Sequence, residues 1–262
     1  MNSLKFRFRM LSKYKDLLML LVERDIKLKY RRSVLGYVWS ILNPLLSMLV
    51  MVIVFSNMFS RGIENFPVYL ICGNILFSFM REATTQAMHS IVGSAALLKK
   101  VYVPKYIFTL SKVTSSLVNL IFSLGALLIV MIVTGAEFTW SCLLIVIPIL
   151  QLYVFCVGLG LFLAQANVFF RDISNVWSVV TLAWMYLTPI FYSLESLSPT
   201  LRYWIPKINP MYIYITQFRD FVMTGGWTWD ALIWRGALIA GAMLLLGMWS
   251  FTKTKDKFIL YI

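Results

Sequence analysis

A short basic stretch near the start of this 262-residue chain has the residue types for phosphate chemistry. Five cations fall within it: Arg24, Lys27, Lys29, Arg31 and Arg32. Guanidinium groups pair well with phosphate oxygens, so the stretch predicts a site for the phosphate groups of a substrate. The same cations suit the anionic head groups of a membrane surface. The two interpretations overlap physically, and both stay open.

A second set of candidate residues lies in apolar surroundings. Arg81 and Glu82 interrupt an apolar run, and ionised residues in a membrane helix are costly unless they face protein, water or each other. They predict either the head-group end of a span or a hydrated path for a sugar chain. Trp177, Trp184 and Phe191 recur at i, i+7 and i+14, roughly on one helix face. Such a face can stack on sugars along the path, or form ordinary core.

Sequence motifs for enzymatic chemistry are lacking. There is no GxxxxGK[ST] phosphate loop, HExxH, GxSxG or paired-acid motif, and His89 has no obvious partner. Cys72, Cys142 and Cys156 form neither a CxxC nor a Cys/His cluster. We therefore predict a chain that is not an enzyme and holds no metal or cofactor of its own. A membrane-embedded glycosyl or phosphate transferase is the alternative from another class.

The composition places these residues in a membrane protein. The chain is 60% hydrophobic and 13% charged, whereas soluble domains are about 45 to 50% apolar and about 25% charged. The net charge of +13 would suggest a nucleic-acid partner in a soluble protein. The apolar fraction excludes that interpretation, so we predict an all-α integral membrane protein that binds no nucleic acid.

The gaps between charges predict six membrane spans, because a spanning helix needs about 20 mostly apolar residues. The predicted spans are 39–59, 66–88, 107–133, 143–166, 174–192 and 232–252. The remaining segments are predicted as an N-terminus with an interface helix (1–38), a short basic helix closed by Pro104 (93–105), an external segment with short re-entrant helices (193–231) and a tail (253–262).

The distribution of Lys and Arg predicts the orientation of the chain. The side of the spans that holds both termini collects 19 of the 24 cations, and the other side collects 5. Because cytoplasmic segments carry the excess of Lys and Arg, both termini are predicted to lie in the cytoplasm. The predicted location is the plasma membrane of a bacterium.

Three sequence landmarks carry a resemblance to a known family. They are RDIKLKYRRSVLGYVWSILNPLL (Arg24–Leu46), NVFFRDIS (Asn167–Ser174) and INPMY (Ile208–Tyr212). In this order, and with six spans, the chain resembles the permease subunit of bacterial ABC exporters for O-antigens, capsules and teichoic acids. The similarity covers nearly the whole chain.

The resemblance implies partners and a cargo. Two permeases pair, a separate ATPase that binds ATP and Mg docks under each, and the cargo is a polysaccharide on a lipid carrier, commonly undecaprenyl diphosphate. The expected function is export of such a polymer, for example O-antigen. The phosphate groups expected at the N-terminal basic stretch are then those of the carrier diphosphate, at Arg24, Lys27, Lys29, Arg31 and Arg32. Teichoic acid, capsule or another lipid or drug cargo is the alternative.

The resemblance also implies which residues meet the ATPase. Segment 93–105 would be the coupling helix, with the following residues at the contact: Leu97, Leu98, Lys99, Lys100, Val101, Tyr102 and Pro104. The alternative is a plain basic loop that follows the cytoplasmic bias of Lys and Arg. Arg171 and Asp172 would hold the second cytoplasmic turn, as an ion pair or a helix cap, close to the same machinery.

Overall fold

The computed structural model describes residues 14–31, 33–59, 63–100, 103–225, 231–254 and 257–258. Within these residues the chain is all-helical and has no strand, as predicted. The helices are α1 (Lys15–Tyr30), α2 (Trp39–Phe59), α3 (Phe66–Gly93), α4 (Ala95–Leu98), α5 (Tyr106–Thr134), α6 (Val146–Phe169), α7 (Ile173–Leu187), α8 (Pro199–Ile208), α9 (Pro210–Arg219) and α10 (Ala231–Thr254). Short 3₁₀ turns lie at Gly36–Val38, Trp140–Ile145 and Leu194–Ser196, and a π turn lies at Asp220–Thr224.

Four of the described helical stretches are long and apolar enough to cross a membrane. They are Gly36–Ser56, Tyr106–Thr134, Trp140–Phe169 and Ala231–Thr254, which overlap predicted spans one, three, four and six. Helix α3 covers predicted span two but carries the charged pair at 81–82. Helix α7 has 15 residues, about 22 Å at about 1.5 Å per residue, against a hydrocarbon core of about 30 Å. The six-span count stays a prediction.

Helix α3 is the centre of the bundle. It packs against α5 and α6, and side chains such as Leu70, Ile71 and Leu76 are fully buried along it. An apolar helix surrounded by other helices forms the core that the peripheral helices cover.

Helices α6 and α10 cross with their backbones in contact. The crossing is at Gly158 and Gly247, where a Cβ on Gly247 would overlap the carbonyl oxygen of Gly158. Small residues allow such close approach of membrane helices. Neither position has room for even a methyl group.

Helix α7 ends four residues before Phe191. Thr188 is extended (φ −102, ψ 129) and precedes Pro189, and the residue before a proline disfavours the helical conformation. Phe191 therefore does not share a helix face with Trp177 and Trp184. The aromatic stripe expected along one helix is limited to the two tryptophans.

Helices α2 and α7 lie at the periphery of the bundle. Both expose rows of apolar side chains, among them Leu49, Ile53, Val179 and Leu182, each more than half exposed. In water such rows would be unfavourable, so these faces are covered by lipid or by another protein.

The bundle has two distinct ends. At the basic end, α1, α4 and the start of α5 pack around Leu21, Leu98 and Phe108, and the end of α10 packs beside them through Phe251. At the opposite end lie α8, α9 and the start of α10, where Tyr214 donates a hydrogen bond to the carbonyl of Gly236 (3.1 Å).

Candidate functional site

Glu82 joins three helices at the basic end. Its Oε1 lies 2.7 Å from Lys29 Nζ of α1 and accepts hydrogen bonds from Gln86 Nε2 (2.9 Å) and from Asn119 Nδ2 of α5 (3.0 Å). An acidic residue at membrane depth is tolerated when it is paired in this way. The observed contacts of Glu82 are with protein, and a place along a glycan path stays a prediction.

Asp25 holds two further cations beside this junction. Its Oδ1 lies 3.0 Å from Arg24 Nη2, and its Oδ2 lies 2.9 Å from Lys112 Nζ of α5. The side chain of Asp25 is only 7% exposed, whereas those of Arg24 and Lys112 are 47% and 26% exposed. The buried carboxylate of Asp25 thus contacts two partly exposed cations, Arg24 and Lys112. The sequence analysis found Arg24 but missed Lys112, because no local pattern links positions 25 and 112.

The other predicted head-group cations have separate surroundings. Lys27 lies 2.5 Å from Glu23 on the exposed face of α1. The hydrogen bond and charge of Lys27 lower the pKa of Glu23, and those of Glu23 raise the pKa of Lys27. Arg31 is exposed, and Arg32 lies outside the described residues. Arg24 lines the cavity that is described next.

This cavity has a volume of about 490 Å³ and lies between α1, α3, α4 and α5. Its lining includes Arg24, Lys112, Thr85, Gln86 and His89. None of the described residues that line it is acidic. The cavity therefore brings Arg24, which was predicted to bind head groups, together with polar residues of α3 (Thr85, Gln86 and His89). With two cations in its wall, it is suited to an anion.

A polar stripe runs along the otherwise buried helix α3. It consists of Asn74, Ser78, Arg81, Thr85 and His89, spaced at i, i+4, i+7, i+11 and i+15, which is one helix face. Arg81 and His89 are exposed, and the other three are half-buried. Arg81 makes no ion pair in the described part of the chain. Because its side chain is exposed, its charge lies on the outer side of α3, away from the bundle core.

The two tryptophans of the predicted aromatic stripe are bound into the protein. Trp177 donates its Nε1 hydrogen to Thr84 Oγ1 (3.2 Å), and Trp184 donates to Asn209 Oδ1 (2.8 Å). Their rings meet edge to face at 6.4 Å. Trp177 is 8% exposed. Phe191 is also buried and stacks on Phe55 at 5.4 Å. Their surroundings are those of core residues, and a contact with sugar stays a prediction.

Asn209 of the INPMY landmark connects α7, α8 and α9. Its side chain accepts from the amide of Met211 (3.0 Å) and donates to Thr188 Oγ1 (2.9 Å). Asn at the N-cap followed by Pro at the first helical position is a known start signal for a helix. That signal could have predicted the start of α9, although not the contact with Thr188.

Arg219 is a buried cation that the sequence analysis did not single out as a site. Its guanidinium donates to the carbonyls of Tyr69 (3.0 and 3.2 Å), Pro189 (2.8 Å) and Ile190 (3.1 Å). It also lies over the Tyr69 ring, 3.4 Å from the ring centroid. A Cβ at Gly73 would come within 2.7 Å of Arg219 Nη2. Arg219 therefore holds two parts of the chain against α3: the non-helical segment that follows α7, and helix α9 itself.

The predicted coupling segment presents two different surfaces. Leu97, Lys99 and Lys100 are exposed. Leu98 packs inward against both the cluster around Leu21 and the cluster around Phe258. The described part of segment 93–105 is not one continuous helix, because α3 ends at Gly93 and α4 covers only Ala95–Leu98. Pro104 follows without helical structure, and Val101 and Tyr102 lie outside the described residues.

Arg171 and Asp172 are both exposed in the turn before α7. The carbonyl of Asp172 accepts from the amides of Asn175 (3.0 Å) and Val176 (3.1 Å), but its side chain makes no capping hydrogen bond. The two side chains form no ion pair with each other in the described structure. The turn is thus held by backbone hydrogen bonds, and a role of these side chains beside an ATPase stays a prediction.

An all-helical bundle with four helices long and apolar enough to cross a membrane defines an integral membrane protein. The chain belongs to the ABC-2 type transporter family, whose profile matches residues 16–223. The resemblance to exporter permeases seen in the sequence is therefore confirmed.

Several relatives are similar over most of their length. The O-antigen export system permease protein RfbA of Myxococcus xanthus is 32% identical over 212 residues, which cover 80% of this chain and 82% of the relative. The protein of the same name from Klebsiella pneumoniae is 27% identical over 93% of both chains. The capsule polysaccharide export inner-membrane protein CtrC of Neisseria meningitidis is 27% identical over 87% of both chains.

Proposed function

We propose that this chain is the permease subunit of an ATP-driven exporter of lipid-linked polysaccharide, of the O-antigen type. The polymer would be carried on a polyprenyl diphosphate such as undecaprenyl diphosphate and would cross from the cytoplasmic to the outer face of the plasma membrane. The names of the relatives that match 80 to 93% of the chain support this cargo. They also favour transport over a membrane-embedded transferase.

The observation that carries the proposal in the structure is the polar stripe of α3. A guanidinium such as that of Arg81, in a helix surrounded by apolar neighbours, requires water or a polar partner on its open side. A hydrated path for a glycan meets that requirement. Hydroxyl and amide groups such as those of Ser78 and Asn74 suit repeated, weak hydrogen bonds to sugar hydroxyls.

The proposed assembly contains two copies of this chain and two separate ATPase subunits. The exposed apolar faces of α2 and α7 supply surface for the second copy and for lipid. The basic end would face the cytoplasm, in agreement with the 19 to 5 distribution of cations. ATP and Mg would bind to the ATPase subunits alone.

The proposed ATPase contact is the exposed part of the coupling segment. Leu97 exposes an apolar side chain beside the exposed cations of Lys99 and Lys100, and a docked ATPase would cover this apolar side chain. Leu98 would pass a displacement of this segment to α1 and to the end of α10, because it contacts both clusters.

The proposal is tested by purifying the chain together with a candidate ABC ATPase from the same organism and measuring ATP hydrolysis in lipid nanodiscs. We expect hydrolysis to rise several-fold with a carrier-linked glycan over the bare lipid carrier, and Arg81→Leu to abolish the rise. Lys253→Leu is the matched control, since Lys253 is an exposed cation at the end of α10, away from the α3 stripe. If no ATPase co-purifies with the native chain, the exporter assignment is wrong.

A capsular polysaccharide is the second candidate cargo, because the capsule exporter CtrC matches 87% of the chain. Teichoic acid or a smaller lipid or drug is a more distant alternative. Stimulation by a capsular polymer on its own lipid, with none by an O-antigen on polyprenyl diphosphate, would move the assignment to that cargo.

A further inference from the structure

We propose that the cavity at the basic end binds the diphosphate of the lipid carrier, with Arg24 and Lys112 as its two cationic contacts. This inference rests on the proposed function and names where the carrier head group binds. The cavity of about 490 Å³ is within the range of small-ligand sites, about 300 to 1,000 Å³. It can hold a diphosphate together with the first part of the attached sugar.

The charges at the cavity favour an anion. Arg24 and Lys112 share the single carboxylate of Asp25, which leaves one positive charge in excess. Arg24 uses its Nε and Nη2 atoms on Asp25, and a guanidinium has about five N–H donors, so donors remain for a phosphate oxygen. Asp25 is buried and contacts both cations, so it holds Arg24 and Lys112 in position before a ligand binds.

The neutral groups around these cations can complete the site. The hydroxyl of Thr85 and the imidazole of His89 lie on the same wall of α3. The imidazole Nε2 is also 3.3 Å from Ser174 Oγ at the start of α7. Donors from hydroxyl and imidazole groups stabilise phosphate oxygens without adding fixed charge. The nearby acid, Glu82, is already matched by Lys29, so it does not oppose an anion.

The surroundings of the cavity suit a ligand with a lipid tail. On α1, Met19, Leu20 and Leu28 are each about 60% exposed. Exposed cations such as Arg24 and Lys27 lie between these apolar side chains on the helix surface, and a helix that exposes both kinds of side chain suits the boundary between lipid head groups and acyl chains. A head group can then enter the cavity beside α1 while its hydrocarbon chain stays in the membrane. A free phosphate ion would not need this apolar border.

The test is a direct binding measurement on the purified complex of this chain with its ATPase, in nanodiscs of zwitterionic lipid. The probes are a polyprenyl diphosphate, inorganic pyrophosphate and phosphatidylglycerol. We expect the polyprenyl diphosphate to bind, and Lys112→Gln to weaken its binding at least tenfold. Lys253→Gln is the control for loss of one cation at the same end of the bundle, and it should bind as the native chain does.

A steric variant keeps the test valid if Lys112→Gln folds poorly with Arg24 as the remaining partner of Asp25. Gly93 lines the cavity, and a Cβ there meets no atom within 4 Å. Gly93→Phe would therefore add bulk at the cavity wall while the charges of Arg24, Asp25 and Lys112 are kept, and it should also weaken binding at least tenfold. Gly241→Phe on α10 is its matched control, since a Cβ at Gly241 also meets no atom within 4 Å.

The outcomes separate this inference from the proposed function. If Gly93→Phe and Lys112→Gln bind polyprenyl diphosphate as the native complex does, the site is elsewhere, although glycan-stimulated ATP hydrolysis would still support an exporter. If phosphatidylglycerol or pyrophosphate binds as tightly and is weakened equally, the site is a general anion site and the carrier assignment is wrong. If the native complex neither binds the carrier nor responds to carrier-linked glycan, the proposed function itself fails.

Discussion

Buried or half-buried cations occur at both ends of the bundle, but their partners differ. At the basic end, Lys29 and Lys112 pair with carboxylates and remain 42% and 26% exposed. At the opposite end, Arg219 is 9% exposed and donates only to backbone carbonyls among the described contacts. An ion pair near water can exchange partners at small cost, whereas a guanidinium buried among carbonyls cannot. The ion pairs at the basic end can therefore change partners, whereas the contacts of Arg219 at the opposite end are fixed.

The strongest test of this contrast is Arg219→Met. The substitution removes the Arg219 donors from the carbonyls of Ile190 and Pro189, and Pro189 keeps a longer hydrogen bond from the Tyr69 hydroxyl (3.3 Å). We expect a loss of about 3 kcal/mol of stability. The readout is the melting temperature of the detergent-purified protein. Arg202→Met, at an exposed position on α8, is the control. An unchanged melting temperature for Arg219→Met would show that the hydrogen bonds from Arg219 to these carbonyls do not stabilise the fold.

A smaller effect is expected at the coupling segment, where two adjacent leucines face different ways. Leu97→Asp should weaken co-purification of the ATPase about tenfold, about 1.4 kcal/mol, with little change in melting temperature because Leu97 is exposed. Leu98→Asp should lower the melting temperature, since it places a charge between two apolar clusters. The reverse pattern would contradict the orientation of α4.

Removal of the Lys29–Glu82 pair should have a still smaller effect. Glu82→Gln is expected to cost about 1 kcal/mol, because both side chains are partly exposed and solvent screens their attraction. The readout is faster hydrogen exchange of the α1 amides. Lys29→Met and the double variant complete a mutant cycle. Strictly additive effects of the two changes would show that the pair does not hold α1 to the bundle.

The smallest effect concerns the exposed Glu23–Lys27 pair of α1. The pKa of Glu23 is lowered from 4.5 by Lys27, so its contribution is present above that value and is lost as the pH falls through the folded-state pKa. We expect a slight loss of helical circular dichroism as the pH falls below 4.5, removed by Glu23→Gln. An equal loss in that variant would assign the change to other carboxylates.

The sequence predicts the helical class and the family better than it predicts which residues the candidate site residues contact. Arg24 can be selected from the local cluster of cations. The pairs Lys112–Asp25 and Glu82–Lys29 form only in the folded chain, because their members are 87 and 53 positions apart in sequence. The spacing of Trp177 and Trp184 is set by helix geometry, whereas Phe191 depends on Pro189 ending that helix. Arg219 can be recognised in the sequence as a charge among apolar residues. Its hydrogen-bond acceptors cannot be predicted, because they lie at Tyr69 and at 189–190, and no periodicity connects these segments.

The contact of α6 and α10 at Gly158 and Gly247 limits how the protein can move. Packed helices slide past each other when flexible side chains between them change rotamer. Here the two backbones touch and no such layer exists. Sliding of α6 against α10 is therefore restricted at this crossing, and we expect a rearrangement in the proposed transport cycle to involve the peripheral helices α2 and α7.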